Sequence, residues 1–269
     1  MRKGDGVLKI IDDFLPGKQR ASLLKELKGL DETLLDNESK TEIEKKKRVY
    51  KLSVLPNEIQ KAIRFFGSSN SKNIVREMTG WDGKVFSLLE MSGFGGYAPF
   101  HTMHRGGFLG SHIDHTTLQS GEYIHIANCI YYAHEKWLDE WMGETTFFNG
   151  SGLFLAESVI PRENRMLFFV HDANSFHGVA PVMCPVDTVR ETFYMDFYIH
   201  YSDLRSFILS FEEATGRKFV HCNCGTTFVP FRLDSISSLF RGVFLGETRG
   251  YVRIYIKYLI NKLFRRNYG

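Results

Sequence analysis

From Lys84 to Tyr201 the chain is cut into short stretches of alternating apolar and polar residues, separated by glycine-bearing turns. The stretches are 84–91, 98–104, 108–115, 123–132, 144–148, 154–160, 166–171, 175–179 and 190–201. Period-two alternation over so few residues marks half-buried strands. About eight such strands in succession point to a jelly roll, and 23 phenylalanines suit its aromatic packing. The region before them reads differently. Val7–Ile11 is a strand, Gly17–Leu30 an amphipathic helix, and Asn57–Phe66 and Ser71–Met78 two further helices. The charged run 36–48, ending Glu-Lys-Lys-Lys-Arg, is expected as a solvated loop or helix. The expected fold is therefore mainly β with flanking helices (α+β). Residues 1–203 form a double-stranded β-helix with N-terminal helices on one face. Residues 204–269 form a helical, basic extension.

One of the strand segments carries Gly110-Ser-His-Ile-Asp-His-Thr116. Side chains two apart on a strand share a face, so His112 and Asp114 can grip one metal ion from the same side. His115 points the other way and joins them only where the strand breaks. A third ligand with open positions left over makes a two-histidine, one-carboxylate facial set, which suits non-haem Fe(II). His177, 63 residues after Asp114, is far enough along for intervening strands to return it beside His112. Arg190 follows 13 residues later and shares a strand face with Thr192 and Tyr194, while Phe193, Met195 and Phe197 share the other. A buried guanidinium requires an anion, and its planar fork suits a carboxylate. A chelating cosubstrate with a distal carboxylate supplies one, and 2-oxoglutarate has that shape.

The order His-x-Asp, distal His, then a basic residue 13 positions on resembles the Fe(II)/2-oxoglutarate-dependent oxygenases, in particular their prolyl 4-hydroxylase-like subgroup. Asn128–Trp137 with Gly143-Glu144, Pro161–Phe169 and Ile11–Pro16 resemble further segments of that family. The resemblance spans about residues 7 to 201. It implies His112, Asp114 and His177 as iron ligands and catalytic centre, and Arg190 and Tyr132 as contacts to the far carboxylate of 2-oxoglutarate. Thr192, Asn128 and Ile130 would line the same pocket. It implies 2-oxoglutarate as cosubstrate, O2 as co-reactant and ascorbate as an accessory reductant. The activity implied is hydroxylation of a peptide, protein or small molecule; Asp114 argues against halogenation, which needs that position vacated. Two departures stand out. Thr102, Met103 and His104 occupy the place of a usual tyrosine, which leaves His104 as candidate for it. Met142 precedes Gly143 where relatives often carry a second glycine.

A net charge of +3 gives no reason to expect a nucleic-acid partner. Met1–Gly6 is polar, so no secretory leader is expected, and four cysteines (129, 184, 222, 224) make no disulfide pattern. A cytoplasmic setting follows as the expectation. His221, Cys222 and Cys224 lack an evident fourth ligand for zinc. Residues 241–269 carry seven Lys/Arg against one Glu. That basic segment reads as a docked helix, an oligomer contact or a membrane-surface helix. The competing functional reading is a non-catalytic jelly-roll protein that binds a metal or sugar.

Overall fold

The alternating segments pair into two antiparallel sheets in a computed structural model that describes residues 7–31, 34, 39–40, 44–49, 52–91, 98–150, 152 and 155–228. The larger sheet runs β1 (Leu8–Ile11), β11 (Met166–Val170), β8 (Tyr123–Tyr132), β13 (Arg190–His200) and β5 (Ala98–Met103). The smaller runs β6 (Phe108–Ile113), β12 (His177–Val179), β9 (Thr145–Phe148) and β10 (Leu155–Val159). The chain crosses repeatedly between the sheets, with β9 and β10 pairing as neighbours in the smaller one, which is the jelly roll the sequence pattern predicts. Short pairs β2 (Ser39–Lys40), β4 (Phe86–Ser87) and β7 (Thr117–Leu118) extend the edges.

Three helices form where the sequence places them, and a fourth opens the stretch expected as a helical extension. In α1 (Gly17–Lys28) Leu23 and Leu27 are buried, and in α2 (Asn57–Phe66) Ile59, Ala62, Ile63 and Phe66 fall on one stripe. Each follows a proline, Pro16 or Pro56, that has extended backbone and cannot continue a helix backwards. α3 (Ser69–Thr79) ends at Gly80 with φ +66°, where a Cβ would lie 2.4 Å from Ala214 of α4 (Leu204–Thr215). Only glycine meets both the left-handed turn and the close helix approach. The helices cover the outer face of the larger sheet. There Phe66 stacks on Tyr131 at 4.8 Å and meets Phe193 at 5.7 Å. Burying one such ring contributes roughly 2–3 kcal/mol.

The N-terminal strand is locked on by two contacts. Arg165 donates from Nε and Nη2 to both carboxylate oxygens of Asp12, at 2.6 and 3.0 Å. Asn164, at φ +56°, bonds Leu15 at both backbone atoms and accepts from the Tyr131 hydroxyl. Two stretches that resemble the family, 11–16 and 161–169, thus meet in space.

Three expectations are corrected. The charged run 36–48 is neither loop nor helix where it is described: β3 (Glu44–Val49) pairs with β5 and with β6 and joins the two sheets. Backbone pairing across both neighbours decides its form, while Lys46 is 6% exposed. Segment 84–91 pairs only at Phe86–Ser87 and then turns, because the Glu90 carboxylate accepts from the Ser87 N–H and hydroxyl. Segment 175–179 shortens to His177–Val179 because Ser175 donates back to the Asp172 carbonyl. The stretch 204–228 packs on the jelly roll. Phe207 and Phe211 join the main core, and β14 (Thr227–Phe228) pairs with β6. The basic segment 241–269 lies outside the described residues. Among the described residues no helix is long and apolar enough to cross a membrane.

Candidate metal centre and cosubstrate pocket

β12 lies between β6 and β9, and its register sets His177 directly opposite His112. The two rings stand 4.4 Å apart, centroid to centroid. Asp114, just past the end of β6, reaches both: Oδ1 lies 3.3 Å from His112 Nε2 and Oδ2 lies 3.3 Å from His177 Nε2. Each imidazole is oriented the same way. Nδ1 of His112 donates to the Gly110 carbonyl at 2.9 Å, and Nδ1 of His177 donates to the Ser175 carbonyl at 3.0 Å. A carbonyl only accepts, so both Nε2 atoms carry their lone pairs inward, as ligating histidines require. Asn128 donates to Asp114 Oδ2 at 3.0 Å and fixes the carboxylate plane.

The electrostatics agree with a cation site. Burial opposes ionisation of Asp114, but the two imidazoles outweigh it and hold its pKa well below the usual carboxylate range. Burial also opposes charge on His177, and Asp114 again outweighs it, so that pKa is raised. His112 goes the other way, lowered by burial and by the neighbouring His177. An anion set between two imidazole Nε2 atoms, with its charge kept, is a preformed set of metal ligands.

These groups open onto a cavity of about 390 Å³ between the sheets. Arg190 stands in its wall at 1% exposure. Its Nε donates to the Gly143 carbonyl at 2.8 Å and its Nη2 to Thr145 Oγ1 at 3.2 Å. Burial pulls its pKa down, and among the described residues no carboxylate lies within ion-pair distance of it. The guanidinium is thus held in place by neutral acceptors, with Glu144 acting on its charge only from beyond ion-pair distance. Gly143 is required here: its φ is +73°, and a Cβ would crowd Arg190 Cδ at 3.2 Å. Met142, where relatives often have a second glycine, sits at φ +54°, a region that disfavours side chains.

Asn128, Ile130 and Thr192 all line the cavity, as the resemblance implies. Tyr132 does not form its wall. Its ring lies under the guanidinium at 5.3 Å and its hydroxyl meets Thr145 Oγ1 at 2.7 Å, so it supports Arg190 and Thr145 from behind. His104 is beyond the end of β5, and His101 faces the cavity instead, with its ring 4.6 Å from that of Tyr194. Among the described residues no metal-type cluster includes His221, Cys222 or Cys224. The Cys222 and Cys224 carbonyls instead accept from the Thr116 hydroxyl, which ties the chain down beside the metal site.

Several wall residues had no motif to announce them. Thr145 comes from an apolar strand. Glu44 and Lys46 pair at 3.3 Å inside the cavity wall, and their i, i+2 spacing within a charge run was the available signal. Phe228 stacks on His112 at 4.9 Å from a strand 116 residues downstream.

A two-sheet jelly roll with two histidines and an aspartate converging at its mouth defines a non-haem metal fold. Residues 98–199 match the model of the 2OG-Fe(II) oxygenase superfamily, which supports an enzyme of the dioxygenase class. Among solved structures it is similar to a prolyl-4-hydroxylase from Pseudomonas putida, at 14% identity over 72% of this chain and 92% of that one, with TM-score 0.50. It is also similar to a prolyl hydroxylase from Trichoplax adhaerens, solved with a peptide fragment of hypoxia inducible factor. That match has 17% identity over 74% and 86% of the two chains, with TM-score 0.52. At these identities the likeness establishes the fold. No curated protein sequence matches the chain.

Proposed function

We propose that this chain is a hydroxylase of the prolyl 4-hydroxylase type, with His112, Asp114 and His177 holding Fe(II) and Arg190 and Thr145 holding 2-oxoglutarate. One observation carries the reading: a buried, rigidly held guanidinium, with no carboxylate at ion-pair distance among the described residues, shares a cavity with three converging metal-type donors. A metal alone leaves Arg190 unexplained. A dicarboxylate that chelates the metal at one end accounts for both.

The bound iron would supply open coordination positions and the redox chemistry that couples decarboxylation of the keto acid to C–H hydroxylation. The chain does the rest. The Gly110 and Ser175 carbonyls keep both Nε2 lone pairs on the metal side, and Asn128 keeps Asp114 from rotating. Arg190 anchors the far carboxylate through a charge-assisted fork, with Thr145 beside it and Tyr132 behind. Phe169 and Phe228 pack on the two histidines and keep water off that flank. A peptide or small molecule enters from the side walled by β3 and β14, past Glu44 and Lys46. Four free thiols, two of them with no exposed surface, support placing the protein in the reducing cytoplasm.

The test is succinate release from purified protein given Fe(II), 2-oxoglutarate and ascorbate to keep the iron reduced. Slow release without substrate, accelerated by a matching peptide and abolished in His112→Ala, is the expected result. Metal binding with no 2-oxoglutarate turnover would instead favour the jelly-roll binding protein.

A further inference from the structure

Behind the first metal face lies a second convergence of ligand-type side chains. Ligand atoms of His115, His125 and Asp196 all lie within 4.8 Å of one another. Tyr198 completes the group, its hydroxyl 2.8 Å from His115 Nε2 and 3.2 Å from Asp196 Oδ2.

Two backbone irregularities build it. β6 stops at Ile113, so His115, which strict alternation would turn away, lines the same cavity as Asp114. In β8 the register with β13 slips between Phe197 and Tyr198, so Tyr198 opposes His125 while Asp196 opposes Asn128. His125 and Asn128 are three apart and would face opposite ways on a regular strand; the bulge re-aims one of them, a device common beside functional sites.

The hydrogen bonding leaves a gap that fits a cation. His125 Nδ1 donates to the His115 carbonyl at 2.9 Å, so its Nε2 bears the lone pair. That Nε2 is 1% exposed as part of its residue, has no hydrogen-bond partner and faces Asp196 Oδ1 across 3.9 Å. The two atoms lie beyond hydrogen-bond reach of each other. In a tetrahedral site with metal–ligand bonds near 2.0–2.2 Å, neighbouring ligand atoms are roughly 3.3–3.6 Å apart. The distances here bracket that range. His171 stacks face to face on His125 at 4.0 Å and closes the group from the interior.

We propose that His115, His125, Asp196 and Tyr198 form a second metal site, for a divalent transition cation of the zinc type, separate from the iron triad. Two borderline imidazoles with two oxygen donors suit a zinc-type cation, and the full set of four leaves no open position. The ion is structural: it ties the end of β6 to β8 and β13 directly behind Asp114.

Metal content settles the proposal. Chelator-stripped protein is reloaded with Zn(II), desalted and assayed for zinc per chain. The wild type is expected to hold two ions. His112→Ala/His177→Ala is expected to keep one, and adding His125→Gln and Asp196→Asn to bring the count to zero. A wild type that binds a single ion overturns the site and leaves a hydrogen-bonded His–Asp pair. So does a His112→Ala/His177→Ala protein that binds none. Two ions retained in His125→Gln/Asp196→Asn would place the second ion elsewhere and equally overturn it. If the combined variants unfold, the wild-type count still decides. Succinate release scores the oxygenase reading independently, so the two can fail separately.

Discussion

The two sheets divide the work of the molecule. The larger carries long strands, a helical layer on its outer face and the main aromatic core. The smaller has strands of three to six residues, and on its edge strand Leu155–Ser158 is exposed. Yet the short sheet presents His112, His177 and Thr145, while the well-packed sheet presents Arg190, Asn128 and Asp196. The lesson is that the candidate metal ligands sit on strands fixed through their neighbours' register, and the candidate cosubstrate anchor on a strand fixed through its core. A change at the metal face should therefore remove chemistry and spare stability. A change behind the larger sheet should do the reverse.

Asp114→Ala tests the first half and has the largest expected effect. It removes the carboxylate between the two imidazoles, and succinate release should fall by about 10,000-fold, roughly 5 kcal/mol of activation free energy. The Tm of the metal-free protein should stay within a few degrees, because Asp114 bonds only to other site residues. A large loss of stability would break the division. Phe66→Ala tests the second half: chemical denaturation should show a loss of about 3–5 kcal/mol, while the folded fraction keeps its KM for 2-oxoglutarate.

Arg190→Met crosses the boundary and sharpens the contrast. Losing the charged anchor should raise KM for 2-oxoglutarate by about 100-fold, or 2.7 kcal/mol. Without cosubstrate the same change should raise Tm, since an apolar chain of similar length replaces a buried charge that has no carboxylate partner. Activity and stability moving in opposite directions is the signature of a site residue. If both fall together, the guanidinium is a structural group.

The same division explains what could be read in advance. The jelly roll was legible because short apolar stretches recur between glycine-bearing turns, even where alternation is lost, as in Met166–Val170, and the candidate metal ligands because His112 and Asp114 lie two apart and His177 follows in the family's order. β3 was not legible: its Glu-Lys-Lys-Lys-Arg run looks solvated, and only the unpaired edges of β5 and β6 make it a strand. Tyr132 was placed on the correct strand face, but counting residues does not tell a wall side chain from one a layer behind. His101 faces the cavity and His104 does not, because His101 shares its β5 face with Met103 and His104 is out of that phase. His125 was hidden by a bulge, a feature of pairing rather than of pattern.

The smallest effect concerns Glu191, on the strand face opposite Arg190 and so on the core side of the larger sheet. Burial alone pushes its carboxyl from an ordinary 4.5 up to about 7. The folded state then binds the proton more tightly than the unfolded chain. The protein should be more stable below pH 4.5 on this group's account, lose that margin between pH 4.5 and 7, and bear the full cost above 7. Glu191→Gln removes the titration while keeping the shape. At pH 8 it should gain about 1 kcal/mol in urea unfolding, and at pH 4.5 nothing, with unchanged kinetics at either pH. A gain of equal size at both pH values would mean that the carboxylate is solvated, and that the larger sheet is less dry on its core side than its aromatic packing implies.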